Sequence, residues 1–209
     1  MATQPSTLYP DVLYPLSMFR HTRGISKLKY ERIEGTDVPQ PFLDLLVHSG
    51  DMTSRLEDFH GGPITVRKLS SSSDGRAYFR EVVLNSVAEG KPVEYGAIEI
   101  DLANLPEEIR EEILAAERPL GGILNDHRLT YSSAPRAFLK VSADAAIKEA
   151  LGLDEGADVL YGRSNAITGF NGESYARIVE ILPPVPGQRQ ALDVPLRKAR
   201  CRTQPVLLE

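Results

Sequence analysis

Short turns join consecutive β-rich segments at two places in the chain, and this feature constrains the fold most. The first series contains three predicted strands, which are Ile64–Leu69, Ala77–Ser86 and Val93–Asp101. The second is a hairpin of the strands Asp158–Thr168 and Ser174–Leu182, turned by Gly169-Phe170-Asn171-Gly172. Strands joined in this way pair antiparallel. The sequence therefore predicts an α+β fold, with a mainly antiparallel β-sheet flanked by helices that lie on one of its sides.

Three segments combine an apolar helical period with helix start or stop signals. They are Pro41–His48, the segment from Asn104 to the Arg118-Pro119 pair, and the segment from a Ser142 cap to about Leu151. The serine-rich residues 70–75 predict a connection between the first two strands.

The remaining parts of the chain have weak structural signals. Residues 1–29 are rich in Pro, Ser, Thr and Tyr without a clear period, which predicts an extended N-terminal arm. Tyr9, Tyr14 and Phe19 are the residues through which this arm would pack on the body. We therefore expect the domain at residues 30–184 and a C-terminal tail at 185–209.

Composition and charge exclude several kinds of site. The net charge of −5 argues against a nucleic-acid binder that depends on a general basic field. No apolar run has the length of a membrane span and the first ten residues lack a signal-peptide pattern, so we expect a cytoplasmic protein. The single cysteine, Cys201, excludes a multi-cysteine metal site, and the four histidines lack ligand spacing. We expect no metal and no cofactor.

Strand alternation singles out two charged residues. Successive strand residues point to opposite faces, so Arg80 shares a face with Tyr78, Val82 and Leu84. In the last strand, Glu180 interrupts an otherwise apolar row. An unpaired charge in a core costs several kcal/mol, on the order of the stability of a whole domain. Each of these two residues therefore needs a partner.

Two interpretations of this pair stay open at the level of the residues. The first is structural: Arg80 and Glu180 form a salt bridge with each other or with neighbours, or Arg80 extends to water. The second is functional: they line one pocket, where Arg80 holds a carboxylate and Glu180 handles a proton or hydroxyl.

Six short motifs, in order and at compatible spacings, carry a resemblance to a known family. They are Asp51-Met52-Thr53, Arg55-Leu56-Glu57, Tyr78-Phe79-Arg80-Glu81, Arg118-Pro119-Leu120-Gly121, Tyr161-Gly162-Arg163 and Glu180-Ile181-Leu182-Pro183. Over roughly residues 41–184 the chain resembles the chorismate pyruvate-lyases, the 4-hydroxybenzoate synthases. The resemblance implies an antiparallel sheet flanked by helices with an enclosed product site. It also implies elimination of pyruvate from chorismate, which needs no cofactor because aromatisation drives the reaction.

The resemblance also implies roles for individual residues. Arg80 would bind the ring carboxylate, helped by the backbone N–H of Leu120. Pro119-Leu120-Gly121-Gly122 is predicted to be a turn, and its consecutive backbone N–H groups could point at an anion. Glu180 would face the ring hydroxyl, with the backbone of Met52 nearby.

Arg163 is the remaining candidate of this set. It would supply a second cation for the side-chain carboxylate of chorismate. The alternative is an exposed arginine on a hairpin strand.

Two other functions remain open from the sequence. One is a non-catalytic domain that binds a small aromatic acid, similar to the effector-sensing domains of some transcription regulators. The residues before Pro41 show no helix-turn-helix pattern and the net charge is negative, which disfavours a DNA-binding regulator. The other is a related lyase that forms a different hydroxybenzoate isomer or uses a modified chorismate.

Overall fold

The structure is a computed structural model that describes residues 11–185. This part of the chain is built on one antiparallel sheet of seven strands. The strands are β1 (Tyr30–Ile33), β2 (Ile64–Ser73), β3 (Ala77–Ser86), β4 (Lys91–Asp101), β5 (Tyr131–Ser142), β6 (Val159–Gly169) and β7 (Ser174–Leu182). Their order across the sheet is β1-β5-β6-β7-β4-β3-β2. The prediction of an α+β fold with a mainly antiparallel sheet is confirmed.

Helices cover both faces of this sheet, so the prediction of helices on one side is wrong. The helices are α1 (Leu16–Thr22), α2 (Phe42–Leu46), α3 (Met52–His60), α4 (Glu107–Ala115), α5 (Leu120–Asp126) and α6 (Ala145–Leu151). Apolar residues of α1 and α6 pack on one face, and those of α2 to α5 pack on the other. Between residues 11 and 185 no helix is both long enough and apolar enough for a membrane span.

Residues 11–29 do not form the extended arm that the sequence predicts. They contain α1, whose Leu16 is fully buried and whose Phe19 is 5% exposed in a core cluster with Leu139 and Val141 of β5. The segment was misjudged because a seven-residue helix has little stability of its own, and burial on the sheet stabilises it. Tyr9, Cys201 and most of the predicted tail lie outside the described residues.

Several element boundaries also differ from the prediction. Ser70–Ser73 continue β2 after an irregularity and pair with β3, so they are not a connection. Helix α6 is capped by Asp144, which accepts a hydrogen bond from the N–H of Ile147, and not by Ser142. Helix α3 was not predicted, and α5 was expected to be a turn.

We expect Leu16→Ala to lower the free energy of unfolding by about 2–5 kcal/mol, because it removes a fully buried side chain from a packed core. Urea denaturation measures the change. The control is His21→Ala, an exposed change in the same helix, which should cost about 0.5 kcal/mol or less. Equal effects of the two variants would contradict the packing of α1 on the sheet.

Candidate ligand-binding site

A small cavity lies between one face of the sheet and the N-terminal ends of α3 and α5. Strands β3, β4, β6 and β7 supply its floor, β5 supplies Ser133, and Met52, Pro119 and Leu120 lie at the helix ends. The space open to the centres of water-sized molecules is about 60 Å³. This volume corresponds to about four to six waters.

Arg80 enters this cavity from β3 and lacks an acidic partner within residues 11–185. Its side chain is 2% exposed, and Nη2 donates to the carbonyl oxygen of Arg118 at 3.2 Å. Its Nε and Nη1 are buried and have no hydrogen-bond partner among the described residues. Burial lowers the pKa of Arg80 to about 10, so the guanidinium stays charged at neutral pH. Two orphan donors on a buried cation are a costly arrangement that an anionic ligand would relieve.

Glu180 lines the same cavity from β7, but its charge has a partner that the sequence did not identify. The Nε of Arg163, on the neighbouring strand β6, donates to Oε2 of Glu180. The register pairs these two residues directly across the strands. Glu180 is therefore half of a buried ion pair with Arg163, and the structure records no bond between Arg80 and Glu180 within the described residues.

Arg163 is fully buried, which contradicts the alternative of an exposed hairpin arginine. Besides the ion pair, its Nη1 donates to the carbonyl oxygens of Leu46 at 3.1 Å and His48 at 3.3 Å. These bonds join the sheet to the end of α2. Arg163 is not among the residues that line the cavity, so its role as a second ligand cation stays a prediction without a direct contact to support it.

Met52, Leu120 and Gly121 lie together at the cavity, as the resemblance implies. Asp51 caps α3 by accepting a hydrogen bond from the N–H of Ser54 at 2.8 Å. A Cβ on Gly121 would come within 2.9 Å of Oδ1 of Asp51, so glycine is needed where the two helix starts approach closely.

Glu94 is the cavity residue that the sequence analysis missed. It is 4% exposed and lies on β4, opposite Leu84 of β3. Its strand row continues with Gly96, Ile98 and Ile100, so the signal that identified Glu180, a lone carboxylate in an apolar row, was present here too. Burial first, and the nearby Glu180 second, raise the pKa of Glu94 well above its usual range.

The half-buried His48 lies against Arg163 and has a lowered pKa. Its Nδ1 accepts a hydrogen bond from the N–H of Gly50 at 3.1 Å. Its Nε2 lies 2.9 Å from the Leu45 carbonyl oxygen and 3.3 Å from Nη1 of Arg163. Burial first, and the Arg163 charge second, lower the pKa of His48 from 6.5 to about 4.

This shift predicts that stability falls between pH 6.5 and 4. Over that range the unfolded chain binds a proton at His48 that the folded chain does not. The contribution of His48 to the free energy of unfolding is therefore complete above pH 6.5 and is lost as the pH falls through 4. We expect the melting temperature of His48→Gln to fall less steeply than that of the wild type over this range. His21→Gln, at an exposed position, should follow the wild-type curve. If the melting temperatures of the His48 variant and the wild type change in parallel with pH, the lowered pKa of His48 is wrong.

The fold is shared with a solved structure of low sequence similarity. PhnF from Mycobacterium smegmatis superposes with a TM-score of 0.51 and 12% identity, over 66% of this chain and 65% of PhnF. The separate effector domain of PhnF gives a TM-score of 0.49 and 12% identity, over 64% of this chain and 88% of that domain. A GntR-family transcriptional regulator from Bacillus cereus gives a TM-score of 0.44 and 13% identity, over 62% of this chain and 97% of that chain. No protein-family model matches the sequence, and no curated protein is significantly similar to it.

Proposed function

We propose that this domain binds a small organic anion of the aromatic acid class in the cavity at Arg80. The observation that carries the proposal is the buried guanidinium, whose Nε and Nη1 have no hydrogen-bond partner within residues 11–185. Water or another residue would normally satisfy such donors. Nε and Nη1 lie on different edges of the guanidinium, so a carboxylate that forms two parallel hydrogen bonds would use one of them together with Nη2.

The rest of the cavity agrees with a small ligand that contains one ring. Its walls include Val82, Ile98 and Ile178, whose apolar surfaces suit a flat ring. Its volume is too small for a nucleotide or a peptide. The fold shared with PhnF, a protein with an effector domain, supports recognition of a small molecule as the function.

Calorimetric titration with 4-hydroxybenzoate and 4-hydroxybenzamide tests the proposal. The two compounds have nearly the same shape, but only the first is an anion. We expect 4-hydroxybenzoate to bind at least tenfold more tightly, because only the carboxylate can pair with Arg80. Equal affinities, or binding of neither compound, would contradict the proposal.

We further propose, as a second function, that the cavity eliminates pyruvate from chorismate to form 4-hydroxybenzoate. The specific observation in its favour is that two carboxyl groups, of Glu94 and Glu180, border the same cavity as Arg80. In the elimination, an ionised carboxylate, here Glu180, accepts the ring proton on the carbon next to the ether bond, and the ring C–O bond to the enolpyruvyl group breaks. The released enolpyruvate takes up a proton to become pyruvate. Arg80 would hold the ring carboxylate while the apolar cavity walls orient the ring.

Incubation of the purified protein with chorismate distinguishes the two functions. Pyruvate and 4-hydroxybenzoate are measured by mass spectrometry, with and without EDTA. A lyase releases both products in equal amounts, and EDTA is expected to have no effect. If the folded protein binds 4-hydroxybenzoate but releases no pyruvate, the lyase is excluded and the binding function stands.

A further inference from the structure

The carboxyl group of Glu94 has no partner within the described residues, although it borders the cavity. Its Oε2 is buried and makes no hydrogen bond. The backbone leaves room for it: a Cβ on Gly96, two residues along the same strand, would lie 2.9 Å from Oε1 of Glu94. Glycine at position 96 therefore lets this carboxyl group lie over the sheet beside the cavity.

The charges around Glu94 determine its protonation state. Glu180 faces it from β7, Arg163 lies beyond on β6, and Arg80 enters from β3. Of these charges, Glu180 raises the pKa of Glu94 and Arg163 lowers it. Burial and Glu180 raise the pKa of Glu94, so a neutral carboxylic acid is favoured, and such a group both donates and accepts a hydrogen bond.

Asn165 also lines this cavity and has a polar atom without a hydrogen-bond partner among the described residues. The amide of Asn165 donates from Nδ2 to the hydroxyl oxygen of Ser133 at 2.9 Å, while its Oδ1 is buried without a partner. The cavity therefore presents an unpaired donor pair at Arg80 and unpaired oxygens at Glu94 and Asn165.

The strand register separates Glu94 from Arg80, whereas Asn165 lies level with Arg80 across β4 and β7. Glu94 pairs with Leu84, which is four residues from Arg80 along β3. Four residues of strand span about 13 Å, and both side chains extend into the cavity from these positions. One small ring compound can therefore contact Arg80 at one end and Glu94 at the other.

We propose that Glu94 is a specificity-determining residue that hydrogen-bonds an uncharged oxygen substituent, a hydroxyl or a carbonyl, at the end of the ligand remote from its carboxylate. This inference rests on the proposed binding of an aromatic acid at Arg80. The ligand is then an aromatic acid with a hydroxyl or oxo substituent. Glu94, and not the ion-paired Glu180, contacts the ring hydroxyl.

The test compares benzoate with 2-, 3- and 4-hydroxybenzoate by calorimetry, in the wild type and in Glu94→Leu and Glu94→Gln. We expect one hydroxybenzoate isomer to bind the wild type at least tenfold more tightly than benzoate. Glu94→Leu should reduce this preference to less than twofold and change benzoate affinity less than twofold. Glu94→Gln should keep a preference of at least threefold, because an amide still donates and accepts.

Two further variants separate this role from a general effect on folding. Gly96→Ala should also reduce the preference, because its Cβ displaces the Glu94 carboxyl group. Glu99→Leu, on the opposite face of the same strand, should leave it unchanged. The preference is a ratio of affinities within each variant, so the fraction of folded protein cancels.

The outcomes also separate this inference from the proposed function. If the wild type binds benzoate and the hydroxybenzoates with equal affinity, or if Glu94→Leu keeps the preference, the role of Glu94 is wrong and the anion site stands. If Glu94→Leu weakens all four ligands equally, Glu94 supports the cavity without reading the oxygen, and the inference is also wrong. If the wild type binds none of the four acids, the proposed function itself fails.

Discussion

Alanine in place of Arg80 is expected to weaken binding of a hydroxybenzoate by about 2–5 kcal/mol, the usual cost of removing one partner of a buried charge pair. The guanidinium is 2% exposed and has two unpaired donors at the cavity, so it is the strongest electrostatic anchor for an anion there. Arg80→Lys should restore little affinity, because an ammonium cannot form the two parallel bonds of a guanidinium. Calorimetry with 4-hydroxybenzoate measures both effects.

The stability of the Arg80 variants gives an independent check. Arg80 is buried without an acidic partner, so Arg80→Met, which keeps much of the side-chain volume, should keep or raise the melting temperature. Arg20→Ala is the matched control on the other side of the sheet, since Arg20 is also 2% exposed but forms an ion pair with Asp144. It should lower stability and leave ligand affinity unchanged. If Arg80→Ala changes affinity less than twofold, the anion site is wrong.

Strand alternation placed Arg80 and Glu180 each on an apolar row of its own strand, and the structure brings both rows to one cavity. Strands β3 and β7 have the bounds that the sequence predicts, and β7 pairs regularly with β4 from Ala176 to Ile181, the part that contains Glu180. The period of two depends only on local backbone geometry, so it can be read without knowing which strands are neighbours. The same rule would have identified Glu94 had it been applied to the third strand.

The partner of Glu180 could not be obtained from the same pattern. Counting back from the pairing of Thr168 with Ser174 near the turn places Arg163 opposite Val179. A register shift between Ile167 and Thr168 moves Arg163 opposite Glu180 instead. Such a shift depends on how the hairpin packs in the whole sheet, and a one-residue difference decides which side chains meet.

The short helices were missed for a related reason. Helices α1 and α5 have seven residues each, and α5 begins Leu-Gly-Gly, a pattern that also suits a turn. Isolated segments of this length are not stable as helices, so their structure depends on the surfaces they cover. Both help to bury the sheet, and α5 also places Leu120 at the cavity.

Glutamine in place of Glu180 is expected to lower the free energy of unfolding by about 3–5 kcal/mol, because it leaves the fully buried Arg163 without a counter-charge. In the part of the chain that the structure describes, Nη2 of Arg163 already lacks a hydrogen-bond partner, so the remaining hydrogen bonds of the guanidinium do not compensate for a lost carboxylate. Since a domain of this kind is stable by only about 5–15 kcal/mol, the loss should be obvious in a urea unfolding curve.

A double-mutant cycle with Arg163→Met separates loss of the ion pair from a simple change of shape. Removing both charges should cost less than the sum of the two single changes, because neither charge is then left unpaired. If Glu180→Gln keeps its stability and abolishes pyruvate release, the carboxylate acts on the substrate and its contact with Arg163 is secondary. If the variant is destabilised and the cycle shows strong coupling, Glu180 supports the cavity through Arg163. Recognition of the ligand oxygen then falls to Glu94, whose carboxyl group has no such partner within the described residues.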